Sequence, residues 1–289
     1  MVGCVSLNIL FVLNIDEFMS EEITFTNKGD ESRIIYGKRM CGILGLIVAE
    51  GIAPGDLAYI AVDALTSLQH RGTESSGLVG TNGIHKNYFE IAKGCGLVKD
   101  CYTNESLNKF VESVAVLGHN RYSTAGMKGA INCVQPFVVH TAVGLIAIAH
   151  NGELVDAKQR REEVLNAGVG LSTDTDSELI AQLISKSVAI NLKCRELAVT
   201  MSSLRMSYSL LVMTYDRIYA LRDPYGNRPL CVGTLYSSTQ YDPRKEKGIL
   251  YCVAPTVTLF ETAVIYSSMS EVIVLSGTIL GRMKSYRVC

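Results

Sequence analysis

At 289 residues and 48% hydrophobic, the chain has material for one large domain or two small ones with a sizeable core. Its 27 lysines and arginines nearly balance 28 aspartates and glutamates, which excludes a global field favouring nucleic acid or an anionic membrane and leaves small neutral or zwitterionic ligands as the better fit. The nine cysteines are odd in number and contain no CxxC pair, so they suit free thiols in a reducing cytosol better than a disulfide framework.

In chain order, residues 1–15 are mostly apolar but lack a basic n-region. Asp16 and Glu17 stand where a signal peptide would have its small-residue cleavage site. No run of about 18 apolar residues is present to span a bilayer, so a soluble, cytoplasmic protein without a membrane partner is expected. Residues 20–40 are polar, charged and without period, which makes residues 1–40 a disordered leader or propeptide, or a mispredicted extension ahead of a start at Met40. The folded unit is expected to begin at Cys41, where CGILGLIVA reads as a buried strand that opens on a thiol.

A helix follows over residues 57–69, then a glycine-bounded turn at RGTESSG and a short strand GLVGTN. Two apolar strands come next, VAVLG ending at Gly118 and GLIAIA ending at Ala149, each running directly into a polar loop. A helix from Asp156 to Asn166 closes at Gly168, which has the character of a C-cap. Asp176 opens another helix, from Ser177 to about Ser187, with Leu179, Ile180, Leu183 and Ile184 on one face. Further strands read as YSLLVMTY, IYALRD, LCVGTL, ILYCVA and VIVLS. Many strands with few helices between them predict packed antiparallel sheets with helices outside, not alternating βαβ units.

Chemistry-bearing residues sit where these elements end. A cysteine that becomes the first residue after processing carries its own base, because a free α-amine titrates at about 7.7 to 8.0. In LQHRGTESSG, the Arg71 guanidinium braces a loop as readily as it touches a ligand. In GHNRYSTAG, Arg121 has the planar fork that takes a carboxylate in two parallel hydrogen bonds; the plain alternative is a structural ion pair. In AHNGEL, Asn151 beside Gly152 offers the amide and the unobstructed backbone N–H of an oxyanion hole, one such donor being worth roughly 2.7 to 4 kcal/mol. Taken alone, Asn-Gly is more often a hairpin turn. In STDTDSE, Asp174 and Asp176 stand at a helix start, one to cap it and the other free to bind an ammonium. A thiol, a carboxylate clamp, an ammonium-binding aspartate and an oxyanion hole together describe a pocket for glutamine or asparagine.

The segments CGILG, LQHRGTESSG, GHNRYSTAG, the QPF of Gln135 to Phe137, AHNGEL, STDTDSE and RDPYGNRPL resemble, in order, the glutaminase domain of the amidophosphoribosyltransferase family. That domain belongs to the class II, N-terminal-nucleophile amidotransferases. The resemblance is strong over about residues 41–233 and weaker to about 276, which makes residues 41–276 the domain and 277–289 a tail. It implies an α+β fold, a four-layer αββα sandwich of two antiparallel sheets. It also implies Cys41 as nucleophile and, through a freed amine, base; Asn151 and Gly152 as oxyanion hole; Arg121 on the substrate carboxylate; and Asp176 on the α-amino group. Arg71 and Gly72 are then expected to line the pocket, with Tyr122 and Thr124 on a mobile loop over it. The reaction implied is hydrolysis of glutamine to glutamate, with the ammonia passed on to make phosphoribosylamine from phosphoribosyl pyrophosphate, the first step of purine synthesis.

The phosphoribosyltransferase part of that family is expected to be missing here. No apolar strand runs into paired acidic residues and a Ser/Thr/Gly loop after Gly233, and Asp242 lies in the polar stretch YDPRKEKG. Such a domain, or a partner chain, is therefore expected as the ammonia acceptor, and a homo-oligomer in the full-length enzyme. Mg2+ and an iron–sulfur cluster are expected only with that missing part, and no metal within this chain. Val253, Ala254 and Pro255 replace a Ser-Glu pair usual in the family, which predicts a distorted last strand. The rival readings are a non-catalytic glutamine-binding or regulatory fragment, a glutaminase serving another acceptor, and a papain-like pairing of Cys41 with His150. In the last comparison His150 is expected as a loop residue supporting Asn151.

Overall fold

The computed structural model describes residues 40–48, 57–122, 130–187, 194–223, 227–235, 250–254 and 272–273. The first strand shows how the layers arise. In β1 (Gly42–Val48), Leu44 and Leu46 face one side and pack with helix residues, while Ile43 and Ile47 face the other. A period of two puts both faces of this strand in contact with apolar partners, so β1 lies at the centre of the molecule.

Around β1 the strands β2 (Ser75–Thr81), β3 (Glu90–Cys95), β4 (Ala115–Arg121), β9 (Cys231–Leu235), β10 (Leu250–Ala254) and β11 (Val272–Ile273) form a sheet of order β11-β9-β10-β1-β4-β2-β3. A second sheet has the order β5-β6-β7-β8, from β5 (Phe137–Thr141), β6 (Gly144–Leu154), β7 (Met206–Met213) and β8 (Ile218–Arg222). Neighbouring strands run antiparallel throughout both sheets.

Three apolar clusters fill the spaces between layers. Leu44, Leu46, Leu78 and Val116 of the first sheet pack against α1 (Leu57–Ser67) and, through Val98, Leu107 and Phe110, against the short helices α2 (Val98–Cys101) and α3 (Asn104–Asn108) and the turn after them. Ile146, Ile148, Leu210 and Val212 of the second sheet pack against α4 (Ala157–Asn166), α5 (Asp176–Ser187) and α6 (Cys194–Ser202). Between the sheets lie Ile43, Val79, Leu117, Ala147, Ala149, Leu211 and Met213. The result is the αββα sandwich, with alternate residues of each central strand assigned to different cores.

Helix ends follow local chemistry. Gly168, just past α4, has φ +80°, a conformation that L side chains rarely adopt, and its N–H closes on the Leu165 carbonyl. At the other end of a helix, Thr103 and Ser106 exchange side-chain and backbone hydrogen bonds in a capping box that starts α3.

The strands extend further than their apolar patterns. β4 continues through His119, Asn120 and Arg121, β6 through His150 to Leu154, and β2 takes in Ser75, Ser76 and Gly77. Arg121 is therefore the last residue of a strand, not a loop residue past one, and His150 likewise is a strand residue. The Asn-Gly pair is no hairpin turn: Asn151 and Gly152 pair with Ser209 and Tyr208 in mid-ladder. Apolar periodicity stops where side chains cease to face a core, whereas backbone pairing needs only a partner strand. The pattern also missed β3, β5, α2, α3 and α6, which are edge strands, very short helices, or, for α6, a segment with weak boundary signals. β10 pairs in unbroken register with β1 and β9 from Leu250 into Val253 or Ala254, so no distortion occurs within it. Pro255 and the YDPRKEKG segment lie outside the described residues.

Candidate active site

The inner-face alternation brings the predicted residues to one end of the sandwich. Cys41 continues the phase of Ile43, and Arg121 that of Ala115 and Leu117, so both side chains belong to the layer between the sheets. Gly42 pairs with Asn120, which sets Cys41 across from Arg121. From the facing sheet, Asn151 continues the phase of Ala147 and Ala149. A cleft opens there, lined by Cys41, Arg121, Tyr122, Gly152 and Asp176 among the predicted residues.

The thiol is held by backbone. Cys41 Sγ accepts the Tyr122 N–H at 3.4 Å and points back at the Tyr122 carbonyl at 3.6 Å, while Arg71 Nε donates to the Cys41 carbonyl at 3.2 Å. Burial pushes the Cys41 thiol up from its ordinary value, and the Tyr122 N–H together with the charges of Arg121, Arg71 and Arg228 pulls it back down. Gly72 is required by close approach: a Cβ there would sit 2.6 Å from the Arg121 carbonyl. That contact carries the Arg71 turn directly against the end of β4, where Glu74 N–H also donates to the Arg121 carbonyl at 3.2 Å.

Arg121 is an ion-pair residue in this structure, its Nη1 lying 2.7 Å from Glu74 Oε1 with a side chain only 5% exposed. Arg121 is thus oriented by a carboxylate from the RGTESSG segment, a partner not singled out from the sequence.

Asn151 is 2% exposed, and its Nδ2 is buried without a hydrogen-bond partner. A buried donor left unpaired costs about 1 to 3 kcal/mol. Beside it, a Cβ on Gly152 would meet the Ser207 carbonyl at 2.4 Å and His150 Nε2 at 2.6 Å, which requires glycine at that position. The strand end is braced by Gln135, whose side chain accepts the His150 N–H at 2.7 Å and donates to the His150 carbonyl at 3.3 Å. Gln135 gives the QPF segment a physical role that the sequence left open.

His150 also lines the cleft. Its Nδ1 meets Ser177 Oγ at 3.1 Å, and burial lowers its pKa to about 3, leaving it neutral. This geometry supplies no Cys41–His150 couple.

The aspartates separate clearly. Asp174 is 90% exposed on its side chain and lies 3.9 Å from Arg161. Asp176 reaches the cleft, its Oδ2 accepts the Leu154 N–H at 2.9 Å, and burial raises its pKa. Neither caps α5. Thr175 Oγ1 accepts the Glu178 N–H at 3.3 Å, and the Glu178 carboxylate takes the Ser172 and Thr173 N–H groups at 2.6 Å each. The T-x-x-E spacing of a capping signal was present in the sequence and was passed over in favour of the aspartates.

The profile of the glutamine amidotransferase domain family matches residues 119–240. The amidophosphoribosyltransferase of Mus musculus is 43% identical over 216 residues, 72% of this chain and 41% of that protein. That of Methanocaldococcus jannaschii is 40% identical over 195 residues, 67% of this chain and 40% of its own length. The chain carries a glutamine amidotransferase domain similar to that of the amidophosphoribosyltransferases. The solved glutamine phosphoribosylpyrophosphate amidotransferase from B. subtilis, complexed with ADP and GMP, superposes with a TM-score of 0.65 at 30% identity, covering 81% of this chain and 44% of that one. The chain therefore spans well under two thirds of the length of the relatives it matches.

Within this amidotransferase domain, Cys41, Arg121, Tyr122, Gly152 and Asp176 meet at the cleft, with Asn151 buried beside Gly152 on β6 and Arg71 holding the Cys41 backbone. Thr124 falls within residues 123–129, outside the described residues. Sequence reasoning missed Glu74, Cys133, Thr175 and Ser177, the last three of which line the cleft. Each lies within three residues of a segment already singled out, but a side chain's approach across a fold leaves no spacing rule. Among the described residues, no three His, Cys, Asp or Glu side chains gather as a metal site.

Proposed function

We propose that this chain is the glutaminase part of an amidophosphoribosyltransferase. Cys41 sulfur attacks the side-chain carbonyl carbon of glutamine, and the oxygen develops negative charge toward Asn151 Nδ2 and the Gly152 N–H. The carbon–nitrogen bond breaks, the amine of Cys41 hands its proton to the leaving nitrogen, and ammonia departs. Water then hydrolyses the thioester to glutamate, returning the thiol. Arg121 grips the α-carboxylate and Asp176 the α-ammonium. The observation that supports this most is the orphaned Asn151 Nδ2, facing the same inner layer as the backbone-held thiol.

The amine exists only once the bond between Met40 and Cys41 is cut, so removal of residues 1–40 is part of the proposal. The ammonia goes to a phosphoribosyltransferase domain or partner chain, where it displaces pyrophosphate from phosphoribosyl pyrophosphate in the cytoplasm, within a homo-oligomer. Mg2+ and an iron–sulfur cluster belong with that second part. The described residues of this chain offer neither a three-ligand cluster, and no step here runs through a metal.

Mass spectrometry of the expressed protein, with an assay for glutamate release, tests the reading. A new N-terminus at Cys41 and glutamine hydrolysis are expected, and Cys41→Ser should abolish turnover with the fold retained. An intact leader without glutamate release would leave a glutamine-binding fragment instead. Arg121→Ala should chiefly raise the half-saturating glutamine concentration; an unchanged value would remove it from the carboxylate site.

A further inference from the structure

The turn between α1 and β2 touches the two residues that the proposed reaction needs at opposite ends of its substrate. At its start, Arg71 Nε donates to the Cys41 carbonyl at 3.2 Å. At its end, Glu74 holds Arg121 twice: its N–H donates to the Arg121 carbonyl at 3.2 Å, and its carboxylate takes Arg121 Nη1 at 2.7 Å. Gly72, between them, lies so near that a Cβ would sit 2.6 Å from the Arg121 carbonyl. The turn is anchored on its far side as well, where Gln69 Oε1 accepts the Val98 N–H at 2.8 Å and the Glu74 carbonyl accepts the Gly96 N–H at 2.7 Å. Residues 69–74 are therefore tied to α2, to the end of β3 and to both cleft residues.

A frame of this kind bears on ligand length. An α-amino acid amide that is gripped at its carboxylate and attacked at its side-chain carbonyl must span the separation between guanidinium and thiol, and asparagine is one methylene shorter than glutamine. An apolar pocket separates ligands differing by one methylene only about 10- to 200-fold, whereas misplacing a reacting group by about 1 Å costs about 100-fold. A loose arginine would follow the shorter ligand toward the thiol. Arg121 is not loose: its bond to Glu74 is charge-assisted and directional, and with side chains 5% and 18% exposed the pair is little screened by salt. Asparagine can then reach one end of the site or the other, but not both.

We propose that Glu74 is a positioning residue that sets the length of amino-acid amide the cleft accepts, holding Arg121 at a fixed separation from Cys41 so that glutamine is taken in preference to asparagine. The inference rests on the reading of Arg121 as the residue that grips the α-carboxylate, and adds to it the group that decides where the grip falls. Glu74 touches no substrate; it acts through Arg121.

The test is ligand binding to the full chain carrying Cys41→Ala, read by isothermal titration calorimetry for glutamine and by displacement of glutamine for asparagine. Glu74→Ala should weaken glutamine about ten-fold while asparagine changes little, narrowing the preference between them. Glu74→Gln, which keeps an oxygen for Arg121 Nη1, should recover most of the loss. Glu74→Asp, which draws the carboxylate back by one methylene, should also narrow the preference, and it serves should Glu74→Ala fail to fold with Arg121 buried beside no counter-charge. A glutamine-to-asparagine ratio unchanged in these variants, whether both ligands keep their affinity or lose it alike, would overturn the proposal. Arg121→Ala separates it from the reading beneath it. If Arg121→Ala weakens glutamine and the Glu74 variants do not, the positioning role alone falls; wild-type glutamine binding in Arg121→Ala removes the carboxylate reading and this inference with it. A narrowed preference in a chain that releases no glutamate with Cys41 intact would sustain the inference while removing the glutaminase reading.

Discussion

Two strands of this protein carry the same dipeptide, and its asparagine is placed differently in each. In β4 the pair is His119-Asn120, in β6 it is His150-Asn151. Asn120 shares its face with Val116 and points at α1, where its Nδ2 donates to the Leu65 carbonyl at 2.6 Å and its Oδ1 accepts the Ser76 hydroxyl at 2.8 Å. Every strong bond it needs is made inside the protein. Asn151 has the other phase, faces the layer between the sheets, and keeps a buried amide nitrogen unpaired. The histidines exchange places accordingly: His119 is buried between the sheets beside the His150 backbone, while the His150 ring meets Ser177 on the helix side. One amide ties the sheet to the helix over it, and the other keeps a buried donor open.

The sharpest way to break this comparison is Asn151→Ala. It should lower kcat roughly 100- to 1,000-fold with little change in the half-saturating glutamine concentration, and leave the urea midpoint at or above wild type because an orphan donor is removed. A midpoint well below wild type would make Asn151 structural like its counterpart. Next in size, Asn120→Ala strands the Leu65 carbonyl and leaves the Ser76 hydroxyl with Tyr102 alone, so a loss of about 1 to 3 kcal/mol in unfolding free energy is expected, with kcat of the folded protein near normal. Steady-state kinetics showing a collapse in kcat at full folding would erase the distinction.

The smallest effect concerns the histidines. Burial lowers the pKa of both His119 and His150 from 6.5 to about 3. The unfolded chain therefore binds protons on them below about pH 6.5 that the folded chain refuses until about pH 3. Stability should fall as pH drops through that window, by up to about 1.4 kcal/mol per pH unit for each histidine. Urea melts at pH 7.5 and 5.5 check this, and His119→Leu should flatten the slope. An equally steep slope in that variant would assign the acid sensitivity elsewhere.

Much of the site was legible because its residues are chemically uncommon where they stand. A thiol opening a buried strand, an arginine at a strand end and an Asn-Gly after GLIAIA each contrast with the apolar runs beside them, and Asp176 was separable from Asp174 only through the family resemblance. What escaped notice were supporting residues with ordinary neighbours. Glu74 orients Arg121 and Gln135 clamps the His150 backbone, yet both partners are distant in sequence. The capping threonine, Thr175, was overlooked although its spacing to Glu178 was readable. In the fold, central strands were legible from apolar runs buried on both faces, while edge strands such as β3, with Ile91 about half exposed, carry too little periodicity to be seen.

The central strands, their packing as antiparallel sheets with helices outside, and the inventory of reactive groups were legible in the sequence, because local periodicity and residue chemistry need no partner to be read; the four-layer sandwich came only through the family resemblance. Which of two His-Asn pairs turns its asparagine toward the layer between the sheets was decided by the tertiary structure. Strand alternation has a period of two, so its phase relative to the layers assigns every polar side chain to a core, a helix or the cleft. That phase is set by register with strands far away in the chain.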